Sequence, residues 1–157
     1  MFLSLLLIYI IKNRLAIFWP STGRMVDAIE ELADLKGRET VYDLGSGDGR
    51  VLVRLAKNAK KATGIEHNPI LNAIARKRIG GLKNVSVTQG DIFEKDLKDA
   101  DVIVAYLSRF LTHKLEKKII KECRNGTKII LVGYRFNGMK PLKERRVFLM
   151  RIRLYKV

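Results

Sequence analysis

The sequence is poor in cysteine, in acidic side chains and in apolar stretches long enough to span a membrane. A single cysteine, Cys123, excludes an intramolecular disulfide and leaves no cluster for a metal, so we predict no metal site. The 157 residues include 16 Asp and Glu against 31 Lys and Arg, and the net charge of +15 favours an acidic partner, an anionic membrane or nucleic acid. Repeats and low-complexity stretches are also absent, and 47% hydrophobic content argues against a disordered chain. We therefore expect one domain with a sizeable core.

The longest apolar run lies at the amino terminus. Residues 1–11 carry no charge, but the polar stretch 12–14 interrupts the run before it resumes. A membrane-spanning helix needs about 20 apolar residues, and a signal peptide needs a basic start and a small-residue cleavage site that are missing here. Three interpretations stay open: an anchor that dips into a membrane, the end of a longer membrane helix, or a helix that covers the sheet. We divide the chain into a hydrophobic segment, 1–20, and a folded domain, 21–157.

Strand-like and helix-like stretches alternate along the folded domain. We predict strands at residues 40–44, 62–66, 85–88, 101–107 and 127–132, with a strand-like tail at 146–157. We predict helices at about 22–36, 50–58, 68–80 and 111–123. The third of these helices should bury Ile70, Ala73 and Ile74, and Cys123 should pack in the core. The alternation predicts an α/β fold, a Rossmann-like doubly wound and mostly parallel sheet with helices on both faces, preceded by a hydrophobic N-terminal helix.

The most informative motif is Asp-Leu-Gly-Ser-Gly-Asp-Gly at residues 43–49, between the first predicted strand and a helix. Glycines at every second position bring bare backbone close to a ligand. A dinucleotide site needs a further glycine three residues after Gly47, where this chain has Arg50. Asp43 and Asp48 would repel a phosphate and suit a cationic ligand better. The alternative is an ordinary glycine-rich turn.

Later strands end in polar groups at the positions that such a site requires. Glu66 ends the second predicted strand, 21 residues after Gly45, and its carboxylate suits both hydroxyls of a ribose. Asp91 follows the third strand and suits an adenine amino group, while Ile92 and Phe93 suit the face of the ring. Each acid alone has an ordinary explanation, as a solvated strand end or a turn residue. Together they favour an adenosyl ligand.

These motifs resemble those of the class I S-adenosylmethionine (SAM) methyltransferases. More narrowly, the chain resembles the small protein-lysine N-methyltransferases that have archaeal and mitochondrial members. The likeness rests on residues 41–50, 64–66, 106–107, 114–116 and 126–128, whereas residues 20–22 replace the Pro-Thr-Pro element of that family with Pro-Ser-Thr. The motifs and the resemblance together predict SAM as the cofactor. The predicted cofactor-binding residues are Asp43, Gly45, Ser46, Gly47, Asp48, Glu66, Asp91 and Ile92.

The resemblance implies a SAM-dependent N-methyltransferase that acts on lysine side chains of proteins. A lysine amine loses its proton more readily in an apolar mouth, so a strong base is not required. Tyr106 and Ser108 lie at the carboxyl end of the fourth strand and are the candidate catalytic residues, because their hydroxyls can orient the amine. His113 is interpreted as a solvated side chain. We expect a cytoplasmic monomer that acts on accessible protein lysines, and residues 1–20 are a candidate membrane anchor.

Two other functions stay open, a nucleic-acid methyltransferase and a non-catalytic SAM-binding module. Nucleobase amino-methyltransferases usually carry Asn/Asp-Pro-Pro-Tyr/Phe after the fourth strand, whereas residues 106–109 read Tyr-Leu-Ser-Arg. The stretch 139–157 has seven Lys or Arg against one Glu, which suits nucleic-acid phosphates or an anionic membrane surface. RNA therefore remains an alternative substrate.

Overall fold

The computed structural model describes residues 20–157. The hydrophobic residues 1–19 lie outside the described part, so the predicted N-terminal helix and its three interpretations stay predictions. Within residues 20–157, no helix is both long and apolar enough to cross a membrane.

The described residues form helices and strands in the alternation that the sequence predicts. In chain order the elements are α1 (Gly23–Ala33), β1 (Thr40–Leu44), α2 (Arg50–Ala56), β2 (Lys61–Glu66), α3 (Pro69–Ile79), β3 (Val85–Gln89), β4 (Val102–Ala105), α4 (Arg109–Glu122), β5 (Lys128–Val132), β6 (Lys143–Val147) and β7 (Met150–Lys156). The predicted strand-like tail is a hairpin of two strands, β6 and β7, joined by a tight turn.

One seven-stranded sheet has the order β3-β2-β1-β4-β5-β7-β6. Strands β1 to β5 are parallel, β7 runs antiparallel to β5, and β6 runs antiparallel to β7. The chain turns from one half of the sheet to the other between β1 and β4, which is the switch point where ligands of doubly wound folds bind. The predicted fold class is confirmed.

Local hydrogen bonds define the ends of the helices. Thr22 caps α1 by accepting a hydrogen bond from the Met25 amide at 3.4 Å. The helix ends at Ala33, before the predicted end at about residue 36, because Asp34 adopts a left-handed conformation with φ 45°. Asn68 caps α3 as predicted, with Pro69 at the first helical position.

The buried face of α3 differs from the prediction. Ile70 is 70% exposed and Ile74 44% exposed, and Ala73 is exposed as well. The helix instead buries Asn72 and Ala75. The position of Ala75 requires a small side chain because the glycine-rich loop lies directly against it. A Cβ atom at Gly49 of that loop would lie only 3.1 Å from the Ala75 Cβ. Close approach to the loop therefore outweighs burial of the larger apolar residues.

Two apolar layers cover the sheet. Helices α1, α2 and α3 contribute to one layer with Val41, Val102 and Ile130, and α4 packs on the other with Ile103 and Ile129. Side chains alternate between the two layers along each strand, as the pleat of a sheet requires. The predicted core role of the cysteine is confirmed, since it is half-buried against the α4 layer and burial raises the pKa of its thiol to about 11.

Candidate cofactor site at the glycine-rich loop

The loop between β1 and α2 needs glycine for its backbone conformation. Gly45, Gly47 and Gly49 have φ values of +79°, +55° and +79°, a region that other residues rarely adopt. A Cβ atom at Gly45 would also lie 3.3 Å from a methyl group of Leu107, in the segment after β4. The three glycines therefore shape the loop as well as leaving its backbone accessible.

Glu66 ties this loop to the end of β2. Its Oε2 accepts a hydrogen bond from the Gly47 amide at 2.9 Å, and its Oε1 accepts one from the Asn68 amide at 2.8 Å. The Gly45 and Ser46 amides both donate to the Ile65 carbonyl oxygen, at 2.8 and 3.1 Å. The buried carboxylate keeps spare lone pairs for a hydroxyl-bearing ligand, since a carboxylate accepts up to about four hydrogen bonds.

Gly64 is a residue whose individual role the sequence did not reveal. A Cβ atom there would lie 2.6 Å from Ser46 Oγ and 2.9 Å from a methyl group of Leu52, so β2 passes directly beneath the loop. The available signal was an isolated glycine inside a strand, which often marks the close approach of another backbone segment.

Asp43 is a buried carboxyl group at the switch point. Its side chain is only 5% exposed, and its Oδ2 has no hydrogen-bond partner among residues 20–157. Burial, together with the nearby negative charges of Glu66 and Asp48, raises the pKa of Asp43 to about 7. Ser46 Oγ is likewise buried without a described partner. Such unpaired polar atoms indicate a place where a ligand completes the hydrogen bonding.

Asp48 has its own protein partners. Arg50 Nη2 lies 2.7 Å and Arg78 Nη2 2.8 Å from Asp48 Oδ2, and Arg78 Nε also donates to the Asp48 carbonyl oxygen at 2.8 Å. Burial raises the pKa of Asp48, but hydrogen bonds from Arg50 and the charges of both arginines outweigh it and lower the pKa overall. Arg50 Nη1 donates to the Ser21 carbonyl oxygen at 3.0 Å. This network joins the loop to α3 and to the start of α1.

We expect Arg78→Ala to lower stability without weakening cofactor binding strongly. The change removes two hydrogen bonds to Asp48, and the half-exposed guanidinium limits the loss to about 1–2 kcal/mol of unfolding free energy. Thermal denaturation measures the effect, with Arg38→Ala as the matched control because that side chain is 85% exposed. A variant as stable as the wild type would show that the network does not hold the loop.

The loop after β3 borders the same edge of the sheet. The Gly90 amide donates to the Glu66 carbonyl oxygen at 3.1 Å, which brings this loop to the end of β2. Asp91 is exposed, and its Oδ1 accepts from the Phe93 amide at 2.8 Å, while Ile92 is buried at 8% exposure. The fold therefore gathers Asp43, the glycine-rich loop, Glu66 and the Asp91 loop, in agreement with the order of the sequence motifs.

The two candidate catalytic residues lie after β4 at the same edge. Tyr106 is half-buried, and its hydroxyl has a raised pKa. Burial is the larger cause, and the nearby Tyr134 raises the pKa further. Its ring packs beside Gly133, at the end of β5. Ser108 is exposed and caps α4, because its Oγ accepts from the Leu111 amide at 3.5 Å.

Two further side chains lie beside this region. Tyr134 lies two residues after the end of β5, is 46% exposed and has the Arg109 guanidinium 5.7 Å from the centre of its ring. No sequence motif indicated a role for Tyr134. His113 is half-buried on α4 rather than fully solvated.

The residues at this edge fit a cationic adenosyl compound better than a pyrophosphate. Two carboxylates, Asp43 and Glu66, converge on the loop, and the buried Oδ2 of Asp43 has no hydrogen-bond partner in the described part of the chain. Positive charge on a ligand would offset the cost of burying that carboxylate, and hydroxyl groups would donate to the carboxylates. A phosphate would meet repulsion at the same place.

Comparison with known proteins identifies the family. The family model of the ANTKMT methyltransferase domain matches residues 43–143. A protein-lysine N-methyltransferase of Saccharolobus islandicus (strain REY15A) is 33% identical over 133 residues, which cover 82% of this chain and 83% of that protein. A dimethyladenosine transferase of Schizosaccharomyces pombe is 31% identical over 101 residues, which cover 62% of this chain and only 33% of that protein.

A solved structure agrees with the fold and the cofactor. The crystal structure of an RNA methyltransferase from Salinibacter ruber in complex with S-adenosyl-L-homocysteine has a TM-score of 0.80 and 30% identity to this chain. The match covers 88% of this chain and 94% of that one. The seven-stranded sheet, the glycine-rich loop and these similarities show that the chain belongs to the ANTKMT methyltransferase domain family and is a SAM-dependent N-methyltransferase.

Proposed function

We propose that the protein transfers the methyl group of SAM to lysine side chains of proteins. The observation that carries the proposal is the 33% identity to a protein-lysine N-methyltransferase over most of both chains. The segment after β4 agrees with it, since residues 106–109 lack the Asn/Asp-Pro-Pro-Tyr/Phe element usual in nucleobase amino-methyltransferases. The partner is then a protein with an accessible lysine, and we propose that residues 1–20 associate the monomeric domain, 21–157, with a membrane.

The proposed cofactor site uses residues at the carboxyl ends of β1, β2 and β3. Its members are Asp43, Gly45, Ser46, Gly47, Asp48, Glu66, Asp91 and Ile92. In this proposal Glu66 accepts hydrogen bonds from the ribose hydroxyls, and Asp43 balances the positive charge of the cofactor. Ile92 offers an apolar surface to the adenine, while Asp48 acts through the loop that its two arginines hold in place.

Bound SAM supplies a methyl group on a sulfonium, which is already a good leaving group. The residues of the chain therefore have to orient the lysine amine and keep water out. A free lysine has a pKa of ~10.4. An apolar entrance to the active site, from which water is excluded, lowers this pKa, so that the amine loses its proton to solvent before it accepts the methyl group. With SAM bound, the nitrogen–carbon bond would form as the sulfur–carbon bond breaks, and S-adenosyl-L-homocysteine would be the leaving group. The Tyr106 hydroxyl, whose pKa burial raises above its ordinary value, can accept a hydrogen bond from the amine N–H and so orient the lone pair of the nitrogen.

We expect Tyr106→Phe to lower kcat about tenfold while leaving the SAM dissociation constant within about twofold. The phenyl ring keeps the packing beside Gly133, and only the hydroxyl is lost. The matched control is Tyr42→Phe, because the Tyr42 hydroxyl donates a 2.9 Å hydrogen bond to Asp99 Oδ1, in the loop before β4 and therefore at the other end of that strand from Tyr106. An unchanged kcat for the Tyr106 variant would remove this residue from the proposed mechanism.

RNA is the second candidate substrate. It is favoured by the similarity to an RNA methyltransferase of known structure and by the net charge of +15. The deciding experiment incubates the purified protein and radiolabelled SAM with cell protein and total RNA in parallel. We expect label that resists ribonuclease, is released by protease and maps to methylated lysine by mass spectrometry. Label confined to RNA would contradict the proposal and support the alternative.

A further inference from the structure

The turn between β6 and β7 presents two large apolar side chains to solvent. Phe148 is 66% exposed and Leu149 is 88% exposed, which makes Leu149 the most exposed large apolar residue of the described chain. Phe148 also has a φ of +53°, a backbone conformation in which a hairpin turn normally uses glycine or asparagine. Folding alone would favour a small or polar residue at both positions. The exposed apolar pair therefore indicates a surface that binds a partner.

This hairpin tip, residues 147–150, lies at the same edge of the sheet as the cofactor site. Ile152 pairs with Val132 at the end of β5, so the tip lies beyond the carboxyl ends of the parallel strands. The Tyr106 hydroxyl lies 4.0 Å from the Met150 sulfur, which places the tip next to the proposed lysine-orienting residue.

Arginine side chains surround the tip. The Arg24 guanidinium lies 5.3 Å from the centre of the Phe148 ring, and Arg146 Nε donates to the Phe148 carbonyl oxygen at 3.1 Å. Neither arginine forms an ion pair within residues 20–157. An apolar tip with unpaired cations at its base has the composition that binds the interface of an anionic bilayer.

The hydrophobic start of the chain joins the domain at the same place. Pro20 lies three residues before the first residue of α1, Gly23, and Arg24 in the first turn of that helix stacks on the Phe148 ring of the tip. The described part of the chain therefore begins near the edge that carries Phe148 and Leu149, and the uncharged residues 1–11 precede it in the sequence.

We propose that the hairpin tip is a membrane-docking element, in which Phe148 and Leu149 enter the interface of an anionic lipid bilayer and Arg24 and Arg146 contact the lipid headgroups. A nucleic acid fits the tip less well, since phosphates would engage the arginines but leave the aliphatic Leu149 in water. Docking would bring the cofactor edge of the sheet towards the membrane surface. The proposal does not depend on lysine being the methyl acceptor.

A fluorescent probe at the tip tests the proposal in the full-length chain. The sequence has one tryptophan, Trp19, so Leu149→Trp combined with Trp19→Phe leaves the tip as the only indole. We expect vesicles of phosphatidylcholine with phosphatidylglycerol to shift its emission to the blue, and brominated acyl chains to quench it. The matched control is Leu82→Trp in the same background, because Leu82 is 45% exposed at the opposite edge of the sheet, and its emission should not shift.

A second variant measures what the apolar pair contributes. Phe148→Asn with Leu149→Ser keeps a residue that tolerates positive φ, and should reduce partitioning onto the anionic vesicles about tenfold or more. Three results would overturn the proposal: no vesicle-induced shift at the tip, an emission that is already blue without vesicles and unchanged by them, or a shift with polyuridylate RNA but not with vesicles. The second of these would show that residues 1–19 cover the tip. Methyl transfer to a lysine peptide in the absence of vesicles separates a failure of docking from a failure of the proposed function.

Discussion

Asp43→Asn should weaken SAM binding at least about tenfold and, at pH 8, stabilise the cofactor-free protein. Burial and the neighbouring carboxylates raise the pKa of Asp43 to about 7, against about 3.9 in an unfolded chain. The folded chain therefore retains a proton that the unfolded chain has released between pH 4 and 7. The stability associated with that proton is present below pH 4 and is lost as the pH rises through 7.

The size of both effects follows from the burial of this carboxyl group. A shift of about three pKa units corresponds to at most about 4 kcal/mol above pH 7, and the amide of asparagine recovers only part of it. We expect a gain of about 2 kcal/mol in unfolding free energy, or roughly 4–8 °C in Tm. The lost affinity reflects a missing charge-assisted hydrogen bond, worth about 1.5–3 kcal/mol.

Thermal denaturation and calorimetric titration with SAM at pH 6 and pH 8 measure both effects. A bound cation lowers the pKa of Asp43, so wild-type binding should release protons near pH 7 and weaken at pH 6. Asp96→Asn is the matched control, since that carboxylate is 65% exposed and its ion pair is with the exposed Lys98. An Asp43 variant that binds SAM like the wild type at both pH values would show that the negative charge of Asp43 does not contribute to SAM binding.

Glu66→Ala should have the second large effect, a loss of about a hundredfold or more in SAM affinity. The substitution removes the proposed ribose contacts and leaves the Gly47 and Asn68 amides without their acceptor. An unpaired buried amide such as that of Gly47 costs about 1–3 kcal/mol, and the partly buried Asn68 amide costs less, so a fall in stability should accompany the loss of affinity.

Glu66→Gln separates charge from shape at this position. Its amide can accept only one of the two backbone hydrogen bonds, so we expect intermediate affinity. Removing the negative charge should also lower the pKa of Asp43, because Glu66 is one of the groups that raise it. Proton release on SAM binding should then move to lower pH. Unchanged SAM affinity in the Glu66→Ala variant would place the adenosyl compound elsewhere.

Much of the fold could be predicted because the parallel strands are short apolar runs with clear turn signals between them. Strand β1 has the predicted bounds, and Asn68 with Pro69 marks the start of α3 correctly. The hairpin was missed because β6 reads Lys-Glu-Arg-Arg-Val and is exposed on an edge of the sheet, where no apolar alternation is required.

The details that were missed depend on contacts between residues far apart in the sequence. The i, i+3 and i+4 spacing of Ile70, Ala73 and Ile74 predicted the wrong face of α3, since the decisive neighbour is Gly49. Asp48 is predicted from the motif as a cofactor residue, but its pairing with Arg78, 30 residues later, could not be seen without the fold. The acids at the strand ends were recognisable because the carboxyl ends of parallel strands meet at one edge.

The most direct test of the central claim is the crystal structure of this protein with S-adenosyl-L-homocysteine. We expect its adenosyl group at the switch point, with the ribose hydroxyls within hydrogen-bond distance of the Glu66 carboxylate. The positively charged amino group of its homocysteine part should face Asp43. Electron density for the compound at any other place, with the glycine-rich loop untouched, would contradict the account.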